Sequence, residues 1–125
     1  MLKRLMMTAL LVVGVSPWLS AGTLEGVWKH EKEPIWIAID SSESSGRVLR
    51  NDNKPDAVGF EMLNEMTKVA DQDDRWLGQV YAAQLDEFKE ADIALIEPDK
   101  MRMTVSVGFF SRSVDWQRIP ALPES

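Results

Sequence analysis

The chain has 125 residues, of which 20 are acidic and 14 basic, with one histidine and no cysteine. That acidity repels phosphate backbones and anionic headgroups, so a nucleic-acid partner is disfavoured. Without cysteine there is neither a disulfide nor the lipid-attachment residue of a lipoprotein, and stability has to come from an apolar core.

The chain opens Met1-Leu2-Lys3-Arg4, runs uncharged through residues 5–15, and leaves by Ser16-Pro17-Trp18-Leu19-Ser20-Ala21-Gly22. A basic start, a short apolar stretch and a small-residue exit are the three parts of a secretory signal. The stretch falls well short of the roughly 20 apolar residues of a membrane span, and Pro17 ends any helix begun there. The expectation is a signal peptide over 1–21, cleaved after Ala21 or Gly22, and one domain over 22–125. Cleavage removes Lys3 and Arg4, leaving 12 basic against 20 acidic side chains and a net charge of −8. The mature protein is then periplasmic or secreted, with no stable membrane insertion.

Beyond the leader the pattern is period two. Gly26-Val27-Trp28-Lys29-His30 is short and β-prone, and residues 34–40 place Ile35, Ile37 and Ile39 on one face with Trp36 and Ala38 on the other. Such alternation in β-branched residues predicts a strand. The polar run 41–46 predicts a turn, residues 46–50 the returning strand, and 51–56 a loop. Phe60, Leu63, Met66 or Thr67, and Ala70 recur at helical spacing among good helix formers, which predicts a short helix at about 60–70. Asp71-Gln72-Asp73-Asp74 reads as an acidic turn.

Strands resume with residues 76–81, where Gly78 marks a bulge or a close backbone approach. Ala91, Ile93 and Leu95 share a face; Glu97-Pro98-Asp99-Lys100 predicts a turn; Met101, Met103, Val105, Val107 and Phe109 line one face of the next strand. A last strand covers 114–118. Seven or eight short strands with turns between neighbours predict an all-β antiparallel sandwich or small barrel. Arg102, Thr104, Ser106, Asp115 and Gln117 lie opposite the core-facing residues, so the outside meets water rather than lipid.

Gly26-x-Trp28 at the start of the first strand and Trp116-x-Arg118 in the last are similar to the lipocalin (calycin) pattern. The order Gly46-x-Val48, Gly59, Trp76-x-Gly78-x-Val80-Tyr81, Ala91-x-Ile93-x-Leu95 and Val105-x-Val107-Gly108 extends it. With the leader, the whole resembles a family of exported bacterial proteins with a lipocalin-like domain of unknown function. The resemblance implies a small antiparallel barrel closed at one end by Gly26, Trp28, Trp116 and Arg118, with the arginine packed across the Trp28 indole. Where that family continues Tyr-Asp-Pro this chain has Tyr81-Ala82-Ala83, and Leu85-Asp86-Glu87 replaces its usual glycine, so ligand roles tied to those positions do not carry over.

No catalytic constellation emerges. His30 has no cysteine or second histidine to pair with and reads as a strand-end surface residue. Asp71, Asp73 and Asp74 lack the glycine and terminal glutamate of a calcium loop. Met62, Met66, Met101 and Met103 suit soft copper(I) but fit core packing better, and Glu87, Glu90 and Asp92 read as surface charge. No metal or cofactor is expected. Trp36, Trp76 and Tyr81 either fill the core or line a ligand cavity, with Gln79 or Ser106 as polar contacts. The leading expectation is a non-enzymatic periplasmic module holding a small, partly apolar ligand; the alternative is a protein-interaction or envelope-maintenance factor with a filled barrel.

Overall fold

The structure, a computed structural model, describes residues 23–123; the expected signal peptide and its cleavage site lie outside the described residues. Eight strands follow in order: β1 (Gly26–His30), β2 (Ile35–Asp40), β3 (Ser45–Asn51), β4 (Glu61–Lys68), β5 (Arg75–Ala82), β6 (Glu87–Glu97), β7 (Lys100–Val107) and β8 (Phe110–Ile119). Each pairs antiparallel with the next, and β8 returns to β1, closing the sheet into a barrel. Closure removes the unpaired edges that an open sheet of this size would expose. The strand pattern left a sandwich or a small barrel open, and the small antiparallel barrel that the resemblance implied is the observed fold.

Alternation sorts the side chains. Trp28 faces Ile37 across β1–β2, Ile93 faces Met103 across β6–β7, and Met101 faces Trp116 across β7–β8. All six are buried. Met101 and Met103 are therefore core residues, as their strand pattern implied. On the outer face of β7 and β8, Arg102 donates to both carboxylate oxygens of Asp115 at 2.8 and 3.0 Å. Thr104 lies 2.9 Å from Ser113 and Ser106 3.1 Å from Ser111, hydroxyl to hydroxyl. These are cross-strand polar pairs on a water-facing wall.

Two expectations need correction. Residues 60–70 form no helix: the only helical turn among the described residues is the 3-10 segment Pro55–Ala57, and β4 occupies Glu61–Lys68. Register shifts interrupt β4 on both sides, between Gly46 and Arg47 of its β3 partner and between Asn64 and Thr67, with Glu65 at φ 53°. Bulges break the period of two, so the apolar side chains recur about every third residue and imitate a helix. Helix propensity loses because, without β4, the facing edges of β3 and β5 would stand unpaired. Phe109 likewise leaves the β7 face: β7 ends at Val107, and Gly108-Phe109 is the two-residue loop between paired Val107 and Phe110.

Gly78 sits opposite the second β4 irregularity. A Cβ there would stand 3.2 Å from both the Asn64 carbonyl oxygen and Met66 Cγ, and 3.5 Å from Ile93 Cδ1. The close backbone approach foreseen at this glycine is what lets β4 bulge inward. Gly78→Val should lower stability by about 1–3 kcal/mol through overpacking, read as a shifted urea midpoint at constant slope; an unchanged midpoint would show that the β4 bulge does not depend on Gly78.

Candidate functional site

The two ends of the barrel differ. One carries the β2–β3, β4–β5 and β6–β7 turns and the segment entering β1. There Trp28 is fully buried and donates its indole N–H to the Leu24 carbonyl at 2.9 Å. The Arg118 guanidinium lies 4.4 Å from the Trp28 ring centroid. It donates to the carbonyl of Thr23 at 2.8 Å, to that of Glu25, and to that of Pro98 at 3.2 Å, and it lies 3.3 Å from the Asp99 carboxylate. One side chain thus ties the β1 entry to the β6–β7 turn across an aromatic floor. Burial pushes its pKa below the ordinary guanidinium range, against the opposing pull of Asp99. Gly26, at φ +134°, makes room: a Cβ would stand 3.3 Å from an Arg118 guanidinium nitrogen.

The opposite end is open. A cavity of about 870 Å³ enters the barrel between the β1–β2, β3–β4, β5–β6 and β7–β8 connections. Its wall is apolar, built from Ile35, Val48, Met62, Val80, Met103, Val105 and Val114, and Trp116 lines it too. Polar groups gather towards the mouth: His30, Asn51, Lys54, Asp56, Gln84 and Arg112. The size lies in the range of small-ligand sites, and an apolar wall with a few polar groups is their usual chemistry. Arg112 faces Val105 across β7–β8, on the inward side, and has no ion pair among the described residues.

His30 is part of this lining rather than a surface residue. Its ring meets Trp116 edge-on at 5.0 Å between centroids. Its Nδ1 accepts the backbone N–H groups of Lys32 and Glu33, each at 3.0 Å. An Nδ1 that accepts two donors carries no proton, which fixes the neutral ring with its proton on Nε2. Burial is the main reason its pKa is lowered, with Glu33 opposing. On the rim, Tyr81 meets Phe60 edge-on at 4.9 Å and Phe88 at 5.5 Å. Its hydroxyl donates to Asp86, a bond that raises the phenol pKa and keeps it protonated.

Of the three aromatics expected at a ligand, only Tyr81 lines the cavity. Trp36 pairs with Lys29 and Arg50 and lies on the outer wall, its ring under Lys29 Nζ at 5.3 Å and the Arg50 guanidinium at 4.9 Å. It is buried by cations rather than by the core, which satisfies its face with charge. Trp76 packs in the core with Lys68 over it at 5.7 Å. Gln79 pairs with Glu90 and Ser106 with Ser111, both on the outer wall. Conversely Trp116, expected at the closed end, lines the cavity two residues away from Arg118. Alternation puts Arg118 and Trp116 on one face; the barrel's length separates floor from cavity. Arg112 and Lys54 escaped the sequence reading because a lone charge in a strand or loop carries no spacing signal. His30 was legible only through its register, opposite Trp116.

Arg118→Ala should cost about 1–3 kcal/mol from lost stacking and stem packing, measured by denaturant unfolding; an unchanged midpoint would remove the closure its role. His30, the only histidine, should titrate by NMR below its ordinary value of 6.5. Because the folded form disfavours the proton, the stability it contributes is complete above that value and is lost as the pH falls through the folded pKa. A pKa above 6.5 would contradict the buried neutral ring. Compared with family models, curated proteins and solved structures, the chain matches none.

Proposed function

We propose that the protein is a non-enzymatic periplasmic binding module that holds a small, partly apolar ligand in the open end of the barrel. The observation that carries this reading is the cavity itself, about 870 Å³ behind an apolar wall. A barrel meant only as a solid scaffold would be filled by its own side chains, whereas here Ile35, Val48, Val80 and Val105 stop short of one another. At the mouth Asp56 offsets Lys54, and Arg112, with no ion pair among the described residues, favours a ligand whose polar end is anionic. A ligand burying about 150 Å² of apolar surface gains roughly 4 kcal/mol before the cost of immobilisation, about half of what micromolar binding requires, so a few polar contacts and further apolar burial have to supply the rest.

The leader over 1–21 supports the periplasmic or secreted setting. A protein-interaction role is the second reading; the apolar residues exposed around the same mouth favour it.

Mature protein contains Trp28, Trp36, Trp76 and Trp116, of which only Trp116 lines the cavity. Dodecanoate should therefore change tryptophan emission saturably in wild-type protein and in Trp76→Phe, but not in Trp116→Phe. Val105→Trp, which fills the cavity, should weaken binding at least tenfold by calorimetry. Absence of saturable binding across fatty acids and aromatic amphiphiles would leave the interaction reading in its place.

A further inference from the structure

The β7–β8 hairpin ends unlike any other turn of the barrel. Gly108, at φ 62°, occupies the first loop position, the requirement of a type II′ hairpin turn, and Phe109 follows it at the tip. Phe109 is fully exposed and Phe110 is 80 % exposed. A soluble domain has no folding reason to hold two phenylalanine rings in water on a regular, fully paired hairpin. Val107 and Phe110 also line the cavity mouth, as does Leu85 across it, so the apolar tip is continuous with the apolar interior.

Charge distinguishes the same hairpin. In a chain with 20 acidic residues, positions 100–114 contain none. Lys100 and Arg102 are engaged by Asp115 further down the strands, which leaves Arg112 as the charge nearest the tip. The outward rows between are hydroxyls: Thr104 with Ser113, then Ser106 with Ser111.

We propose that this tip is a membrane-docking wedge: Phe109 and Phe110 enter the interfacial zone of an anionic bilayer, and the hydroxyl rows and Arg112 behind them meet the headgroups. A convex pair of aromatics beneath a polar collar is the chemistry that settles at the boundary of headgroups and hydrocarbon. Overall acidity does not oppose this. The other connections at the open end carry Glu31, Glu33, Asp52, Asp56 and Asp86, so the acid-free hairpin leads and the rest of the rim stays back in water. A second copy of the chain is a poorer occupant. Four residues at a convex tip bury far less than the roughly 1,200 Å² of a stable interface, and both copies would carry the same negative charge. Docking of this kind does not depend on what the cavity binds.

The test is flotation of the mature protein with vesicles, one set of phosphatidylcholine and one containing about a third phosphatidylglycerol. Binding should be stronger on the anionic vesicles, and Phe109→Ser with Phe110→Ser should weaken it roughly tenfold per ring. Leu77→Ser, which removes an exposed apolar side chain from the outer wall, should leave it unchanged, and dodecanoate binding in solution should survive the tip substitutions, separating docking from cavity function. Failure to float with anionic vesicles, flotation indifferent to the tip substitutions, or a concentration-dependent dimer abolished by them would each overturn the proposal.

Discussion

The contact on which the rest of the molecule depends is Arg118 over Trp28. Strands β1 and β8 are the first and last of the sheet, and their pairing turns a ribbon of eight strands into a barrel. Backbone bonds alone do not fix where that seam sits, because a slip of one residue would turn each side chain to the opposite face. Trp28 opposite Arg118 fixes it. The indole must be inside, the guanidinium must reach the carbonyls of Thr23, Glu25 and Pro98, and only one register satisfies both. A charge is tolerated at so enclosed a place because it meets a π face, three carbonyls and Asp99 at once.

Once one end is sealed in this way, the inward rows can be read along the barrel as a gradient. Near the seal they are large and buried: Trp28, Trp76, Ile37, Ile93 and Met101. Towards the other end Val48, Val80, Val105 and Val114 share the wall with Ile35, Met62 and Met103, and the β3–β4 connection lengthens to include the 3-10 turn at Pro55–Ala57. The cavity lies between these walls. Trp116 marks the transition, with the packed core on one side of its ring and His30 and open space on the other. Its indole N–H is buried without a hydrogen-bond partner among the described residues, a cost of about 1–3 kcal/mol that the close packing around the ring has to offset.

Much of this was legible in the residues. Period-two alternation located seven of the eight strands, and the resemblance carried by Gly26-x-Trp28 and Trp116-x-Arg118 implied which end is closed. What escaped has physical causes. β4 carries good helix formers, and its bulges shift the apolar positions out of alternation, so only the need to pair the edges of β3 and β5 makes it a strand. Trp36 shows the limit of reading aromatics as interior: its burial comes from Lys29 and Arg50 on neighbouring strands, partners that are distant in sequence and set by register alone. Sequence patterns distinguish the two faces of a strand; they do not say how far along the barrel a residue lies, and that distance separates the floor at Trp28 from the cavity at Met103 and Val105.

Four methionines lie in the described residues, and they sample the molecule along that axis: Met62 and Met103 on the cavity wall, Met66 packed beside Gly78, and Met101 sealed in the core. Methyl NMR of protein labelled at the methionine Cε therefore tests the account directly. Titration with dodecanoate is expected to move the Met62 and Met103 signals saturably and in proportion to one another, and to leave Met101 in place. Four stationary signals, or a response confined to Met66 or Met101, would contradict a ligand site in the open end of the barrel.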